Sequence, residues 1–357
     1  MEAVRVGVVM GGTSSEREIS LRSGEAVARA LEECGHDVVR LEIGAGVDAL
    51  DALAGAEMDV AFLALHGKQG EDGCIQGVLE LLGIPYTGSG VLASALAMDK
   101  LKSKELFRLH NVPTPPYYAV NRSSAGELEE LHGSFGFPVV VKPRREGSSV
   151  GVAKATTLAE LEAAVDNALL YDDSVLVERF IKAREVAVAV LDGRVLGAIE
   201  IAPSGELYDF QAKYESDHTQ YFLPARFGST RLLGILNLAQ RTADALDLRG
   251  AARVDLLVTE GMNEYVLEVN TLPGMTESSL LPKIAAAAGY DFSALCQAIL
   301  ETARLDSGLT MGNLRRLSVE QADPQIWDEA VFEEEAIVAA MVKSRHRATA
   351  RGVRKSA

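Results

Sequence analysis

At 357 residues, 48% hydrophobic and 24% charged, the chain has the make-up of a globular protein with length for two or three domains. Its formal charge of −16 argues against nucleic acid or an anionic membrane as the main partner. No run reaches transmembrane length, and Val4–Met10 is too short for a signal segment. Cys34, Cys74 and Cys296 lack paired spacing, which predicts reduced core thiols in a cytoplasmic enzyme.

The first hundred residues alternate strands and helices. Arg5–Met10 reads as a strand, Ile19–Glu33 as a helix, and Val38–Ile43 and Val60–Leu65 as strands. Gln76–Leu82 reads as a helix and Ile84–Tyr86 as a short strand before the Gly88–Gly90 turn. This alternation predicts parallel βαβ units with helices on both faces. Leu92–Leu109 is a helix that Asn111-Val-Pro-Thr-Pro-Pro116 ends. From Pro138 hairpins predominate, with a helix at Leu158–Leu169, as in an α+β domain. A third segment begins near Glu185, and a last helix spans Ala294–Arg304.

The strongest chemical signal is Glu264-Tyr-Val-Leu-Glu268-Val-Asn270-Thr-Leu-Pro-Gly274, preceded by the strand Arg253–Val258. Residues two apart in a strand share a face, so Glu268 and Asn270 project together. A hairpin that brings Asp255 alongside completes three hard oxygen ligands. Such a set suits Mg²⁺, whose other positions substrate phosphates fill. A carboxylate in the apolar run around Glu268 needs a partner, and a metal supplies one. Without that partner, the same residues would be surface carboxylates on an ordinary hairpin.

The second signal is Val139-Val-Val-Lys142-Pro-Arg-Arg-Glu-Gly147-Ser148-Ser149-Val-Gly151. A lysine ends a strand, and a Gly/Ser loop offers backbone N–H groups to phosphate oxygens. It is not a Walker A loop, since no Gly-Lys-Ser/Thr occurs. Gly147–Gly151 also matches the Gly-x-Ser-x-Gly nucleophile elbow. That elbow needs a following helix, whereas Val150–Ala155 is strand-like. Gly88-Ser-Gly90 imitates a dinucleotide fingerprint but lacks the later acidic residue, so it reads as a tight turn.

Two loops lie at the carboxyl edge of the first sheet, where such sheets bind ligands. In Gly11-Gly-Thr-Ser-Ser-Glu16-Arg-Glu18, Ser14 or Ser15 reads as a helix cap, leaving Glu16 for a cationic ligand. His66-Gly-Lys-Gln-Gly-Glu-Asp-Gly73 brings His66 beside it. Past Leu305, seven acidic residues fall between Glu320 and Glu335 and six basic ones between Lys343 and Lys355. A solvated helix from Gln325 to Val342, holding Trp327, and a partly disordered basic end are expected.

These motifs resemble the D-alanine–D-alanine ligase family of the ATP-grasp fold. The matching segments also include Met98-Asp-Lys100, Asp209-Phe-Gln-Ala-Lys213-Tyr214 and Glu268-Val-Asn-Thr-Leu-Pro-Gly-Met-Thr, in order from Arg5 to about Leu305. The resemblance implies an N-terminal doubly wound parallel-sheet substrate domain (1–100), a central α+β lid domain (101–184), a C-terminal α+β domain with the metal site (185–305) and an extra tail (306–357). It implies ATP and D-alanine as substrates, two Mg²⁺ ions that Mn²⁺ can replace, a homodimer, and a cytoplasmic role in peptidoglycan precursor synthesis. Lys100, Lys142 and Lys213 match phosphate contacts, Glu178 the adenine contact and Glu185 the ribose contact. Asp255, Glu268 and Asn270 match the metal ligands. Arg253 and the Gly274 N–H match the oxyanion-facing groups, Glu16 and His66 the first D-alanine site, and Ser279 the second carboxylate. Ser148 and Tyr214 match residues that hydrogen-bond with Glu16 and close a loop. Arg179 departs from the family's frequent lysine. A ligase for D-lactate or D-serine and a non-catalytic nucleotide-binding regulator are the alternatives. The regulator would be expected to lose a metal ligand or lysine, and none is lost.

Overall fold

Strand β1 (Arg5–Gly11) buries six of its seven residues, as a strand covered on both faces must. It lies between β2 (Asp37–Ile43) and β3 (Val60–Leu63), both parallel to it, and Tyr86 adds a parallel bridge to Ala61. Tyr86 makes only bridges, so the expected strand Ile84–Tyr86 does not extend. Helix α1 (Arg17–Glu33) presses Val27, Ala28 and Leu31 into this layer, and α2 (Val47–Gly55), which the sequence reading missed, packs beside β2. The protein is described here by a computed structural model covering residues 3–203, 219–276 and 278–307. Lys213, Tyr214 and the expected helix Gln325–Val342 lie outside the described residues.

Between α1 and the third layer the chain runs through α3 (Cys74–Leu82), α4 (Val91–Met98) and α5 (Lys100–Leu109). The single helix expected over 92–109 is therefore two. Asp99 takes an extended conformation and its carboxylate accepts the Lys102 N–H, so a fresh helix starts at Lys100. Arg144 grips the same carboxylate through two bonds of 2.7 and 2.6 Å, a tertiary contact that local sequence does not show.

The second sheet has the order β4-β7-β5-β6, from β4 (Tyr117–Asn121), β5 (Val139–Pro143), β6 (Ala153–Ala155) and β7 (Ser174–Arg179). A short α6 (Leu128–His132) precedes β5. Helix α7 (Leu158–Ala168), capped by Thr157, packs Leu161, Ala164, Val165 and Ala168 on Val139, Val141 and Val177. β5 pairs antiparallel with β6, so the Gly/Ser loop joins two strands and the nucleophile-elbow reading fails as expected.

The third sheet, order β10-β9-β8-β11-β12, comprises β8 (Arg184–Leu191), β9 (Arg194–Ala202), β10 (Gln220–Phe222), β11 (Ala251–Val258) and β12 (Glu264–Asn270). Helix α8 (Ser229–Ala245) covers it with Ile235, Leu238 and Ala239, joined by Ala93 and Ala97 of α4 and Phe107 of α5. Helices early in the chain thus complete the core of its last sheet. Helix α9 (Leu280–Ala287) leads into α10 (Phe292–Glu301), which returns to α1. Gln297 bonds His36 there and Ser293 bonds Glu33. The expectation of three core thiols holds only for Cys296; Cys34 and Cys74 are exposed.

Candidate active site

The register of β11 and β12 sets Arg253 opposite Asn270 and Asp255 opposite Glu268. Period-two alternation puts all four on one face. Arg253 clasps Asp255 through bonds of 2.7 and 2.8 Å, and the Lys100 ammonium lies 3.6 Å from Glu268. Asn270 Oδ1 accepts the Leu272 N–H. Two facing carboxylates and an amide oxygen form a hard donor set that suits Mg²⁺, with positions left for phosphate oxygens. Among the described residues no cluster of three or more His, Cys, Asp or Glu side chains offers a rival metal site.

This face borders a cavity of about 500 Å³ between the second and third sheets. Lys100, Lys142, Glu178, Glu185, Asp255 and Glu268 line it. Lys100, at the start of α5, donates to the Glu146 carbonyl, while its own N–H bonds the Arg144 carbonyl. Lys142 Nζ sits 2.8 Å from one oxygen of the buried Glu178, and Lys104 Nζ sits 3.0 Å from the other. Burial opposes the charge on Glu178, but the two lysines outweigh it and hold the carboxyl below its usual range. Burial likewise works against the Lys142 charge, and Glu178 and Glu268 more than offset it, so its affinity for a proton rises. In Lys104 burial wins, and the ammonium is weakened to about 8. Sequence reasoning missed Lys104. Its spacing of four from Lys100 places both on one helix face, a sign that was there to read. Arg179 directs its guanidinium to the Phe135 carbonyl and ring.

The other flank is built from loops. Glu16 accepts the Ser148 hydroxyl and is almost fully buried. A Cβ on Gly147 would come within 2.8 Å of the Glu16 carboxylate, so the Gly/Ser loop needs glycine there to approach it. The expected cap on α1 is displaced: Ser14 gives its hydroxyl proton to the His66 carbonyl at 2.7 Å while its oxygen accepts the Glu16 N–H at 3.2 Å, and Glu16 itself occupies the N-cap with no capping bond from its side chain. The buried His66 has Nδ1 3.0 Å from the Leu272 carbonyl, which only accepts, so Nδ1 carries the proton. Its Nε2 then accepts from Ser23, whose oxygen takes the Met275 N–H. Burial pulls the His66 pKa down, in keeping with a neutral ring.

Glu71, overlooked within the quoted His66–Gly73 motif, is buried beside this loop and accepts the Gly67 N–H at 2.6 Å. Burial first, and the Glu16 charge second, push its pKa up to about 8. Ser279 occupies the N-cap position of α9 with its hydroxyl bonded to Thr276 and not to the helix, and Gly274 packs close enough that a Cβ would meet the Ser279 hydroxyl at 2.9 Å. Thus Ser148 meets Glu16, while His66 and Ser23 meet the Leu272–Met275 segment, which runs directly from the end of β12.

The family description "D-ala D-ala ligase C-terminus" matches residues 106–301, and "D-ala D-ala ligase N-terminus" matches residues 45–89. The chain is 48% identical over 306 residues to a D-alanine–D-alanine ligase of Geobacter sulfurreducens, covering 85% of this chain and 96% of that one. It is 50% identical over 301 residues to one from Anaeromyxobacter sp. strain K, with coverage of 84% and 97%. Among solved structures, the ATP complex of the Bacillus anthracis ligase superposes with a TM-score of 0.74 at 35% identity, covering 84% of this chain and 97% of that one. The VanG D-Ala:D-Ser ligase of Enterococcus faecalis gives 0.75 at 29% identity, with coverage of 84% and 99%. With more than half of its length matched and relatives near half identical, the chain belongs to the D-alanine–D-alanine ligase family.

Proposed function

We propose that this chain is an ATP-dependent ligase that joins two D-alanines, giving D-alanyl-D-alanine, ADP and phosphate for peptidoglycan precursors. The observation that carries the reading is one cavity whose wall holds two ammonium groups and two facing carboxylates. The Gly147–Ser149 loop on its wall reaches, through Ser148, a flank with the buried Glu16 carboxylate. The first suits a triphosphate, the second two amino acids.

In this reading the carboxylate of one D-alanine attacks the γ-phosphorus of ATP, and ADP leaves. The amine of the second D-alanine attacks the resulting acyl phosphate, and phosphate leaves with the proton balance closed by solvent. Phosphoryl transfer of this kind depends on position and charge. Lys100 and Lys142, with Lys213, neutralise phosphate oxygens. Glu178 and Glu185 hold the adenine and ribose. Glu16 offsets the ammonium of the first D-alanine, beside a neutral His66. Arg253 and the Gly274 N–H face the oxygen that becomes negative in the tetrahedral intermediate. Ser279 holds the second carboxylate at the start of α9. Ser148, bonded to Glu16, and Tyr214 close the site against water, which would hydrolyse the acyl phosphate. Asp255, Glu268 and Asn270 would hold two Mg²⁺ ions, or Mn²⁺ in their place, which when bound neutralise phosphate charge.

We place the enzyme in the cytoplasm as a homodimer. No helix among the described residues is long and apolar enough to cross a membrane. The test is phosphate release from ATP with D-alanine, D-serine or D-lactate, with products identified. Release should require ATP, Mg²⁺ and D-alanine together, with dipeptide formed in step. Robust release without an amino acid would overturn the assignment.

A further inference from the structure

Behind the wall of the nucleotide cavity stands a buried lysine, Lys104, that the reaction as described does not use. Glu178 is bracketed by two lysines placed unequally. Lys142 stands at the cavity wall, where it can turn to a phosphate. The Lys104 side chain is fully enclosed and takes no part in the wall. It is fixed from behind: its ammonium donates to Thr114 Oγ1 at 2.6 Å, and Thr114 donates to the Val266 carbonyl at 2.8 Å. Glu178 Oε1 lies 3.0 Å from this ammonium and is shut off from the cavity, whereas Oε2 lies 2.8 Å from Lys142 at the wall. Thus the oxygen that a movement of Lys142 would free, Oε2, belongs to a residue that lines the cavity.

A buried carboxylate stripped of its only counter-charge is strongly unfavourable. Were Lys142 alone beside Glu178, its move to a triphosphate would strand that charge. We propose that Lys104 is the positioning residue for Glu178, holding it ionised and aimed from the Oε1 side so that Lys142 can pass to the phosphates while Oε2, which it vacates, receives an exocyclic amine of the base. Lys104 thereby sets preference for a 6-aminopurine, adenine, over guanine, which carries a carbonyl at that position. This rests on reading the cavity as the ATP site.

The experiment uses the full chain and Lys104→Met. Binding of ATP is followed by calorimetry, and steady-state rates are taken with ATP and GTP. The KM for ATP should rise at least about tenfold, and the ATP-over-GTP preference should fall at least about fivefold. The kcat at saturating ATP and the KM for D-alanine should stay within about threefold. A lysine needed only for packing would lower the melting midpoint and leave the ATP/GTP ratio unmoved, which overturns the inference. Should Lys104→Met fail to fold, Lys104→Met with Glu178→Gln removes both buried charges. That double variant should fold and match Glu178→Gln alone in its KM for ATP; a further additive loss, or failure to fold where Glu178→Gln folds, also overturns it. A wild-type chain that did not bind ATP would instead break the reading of the cavity.

Discussion

The carboxylate face of the cavity is made by two neighbouring strands, whereas the flank beside it is made by loops drawn from four separate stretches of chain. On the first, Arg253, Asp255, Glu268 and Asn270 are placed by the ladder of β11 and β12, whose register fixes which side chains share a face. On the second, Glu16, His66, Ser148 and Met275 are held by single contacts between segments far apart in sequence. A ladder distributes the cost of placing four groups over many backbone bonds. Loop contacts leave each group dependent on one or two partners. Substitution should therefore act through charge on the strand side and through position on the loop side.

The largest effect belongs to the strand side. Glu268→Gln keeps the shape and the ladder but removes a charge opposite Asp255, so kcat should fall by about a hundredfold or more while the melting midpoint stays near wild type. Steady-state phosphate release with a thermal scan checks this. A variant with half of wild-type activity would remove Glu268 from the metal set.

The next effect separates the sides. Ser148→Ala deletes the hydroxyl that joins the Gly/Ser loop to Glu16. Loss of one hydrogen bond to a charged group is worth about 1.5–3 kcal/mol, so kcat/KM for D-alanine should fall roughly tenfold to a hundredfold. The KM for ATP should move far less. Equal changes in both would show that the loop serves the nucleotide and that the two sides are not independent.

This contrast also sets what could be read from sequence. Period-two alternation in Glu264–Asn270 exposes the shared face directly, and the resemblance ordered the motifs, so the strand side was legible. Lys104 and Glu71 were not singled out, because a charged residue in a helix or loop looks solvated until its buried partner is known. The break at Asp99 escaped notice because Arg144, which fixes that carboxylate, comes from another sheet. Local chemistry favours Ser14 as a cap, yet, anchored to the His66 carbonyl, its oxygen accepts the Glu16 N–H just ahead of the helix, and Glu16 takes the N-cap position. Each omission is a tertiary partner overriding a local preference.

A smaller effect on turnover, visible mainly as pH dependence, comes from Glu71. Its folded pKa, about 8, lies above the ordinary 4.5, so the folded protein keeps a proton that the unfolded chain releases between those values. Stability from this group is therefore complete below about pH 4.5 and is lost as pH rises to about 8. Glu71→Gln mimics the protonated form and can still accept the Gly67 N–H. The stability difference between variant and wild type should shift in the variant's favour by on the order of 4 kcal/mol from pH 5 to pH 8.5, with turnover at pH 7 within a few-fold. Parallel stability curves would show that Glu71 is ionised in the folded state at neutral pH.

The smallest effect on turnover tests where the folded unit ends. The sequence reading let the ligase close at Leu305, but Asp306 is built into it. Its carboxylate accepts the Val91 N–H that opens α4 and pairs with Arg249, and its own N–H bonds Glu80. Arg249 also holds the Leu305 and Arg304 carbonyls. At Gly90 a Cβ would overlap Asp306 at 1.9 Å, so strap and turn are fitted to each other. A chain ended after Ser307 keeps every one of these contacts, and its kcat should stay within about twofold of the full chain, a change of roughly 0.4 kcal/mol. A chain ended after Arg304 loses a buried leucine, worth about 1.5–3 kcal/mol, and the cap on α4. Its melting midpoint should drop by several degrees while kcat, measured well below that midpoint, changes little, because α4 leads to Lys100 only through Asp99, which Arg144 holds independently. Equal midpoints for the two shortened chains would show that the strap at 305–306 carries no stability.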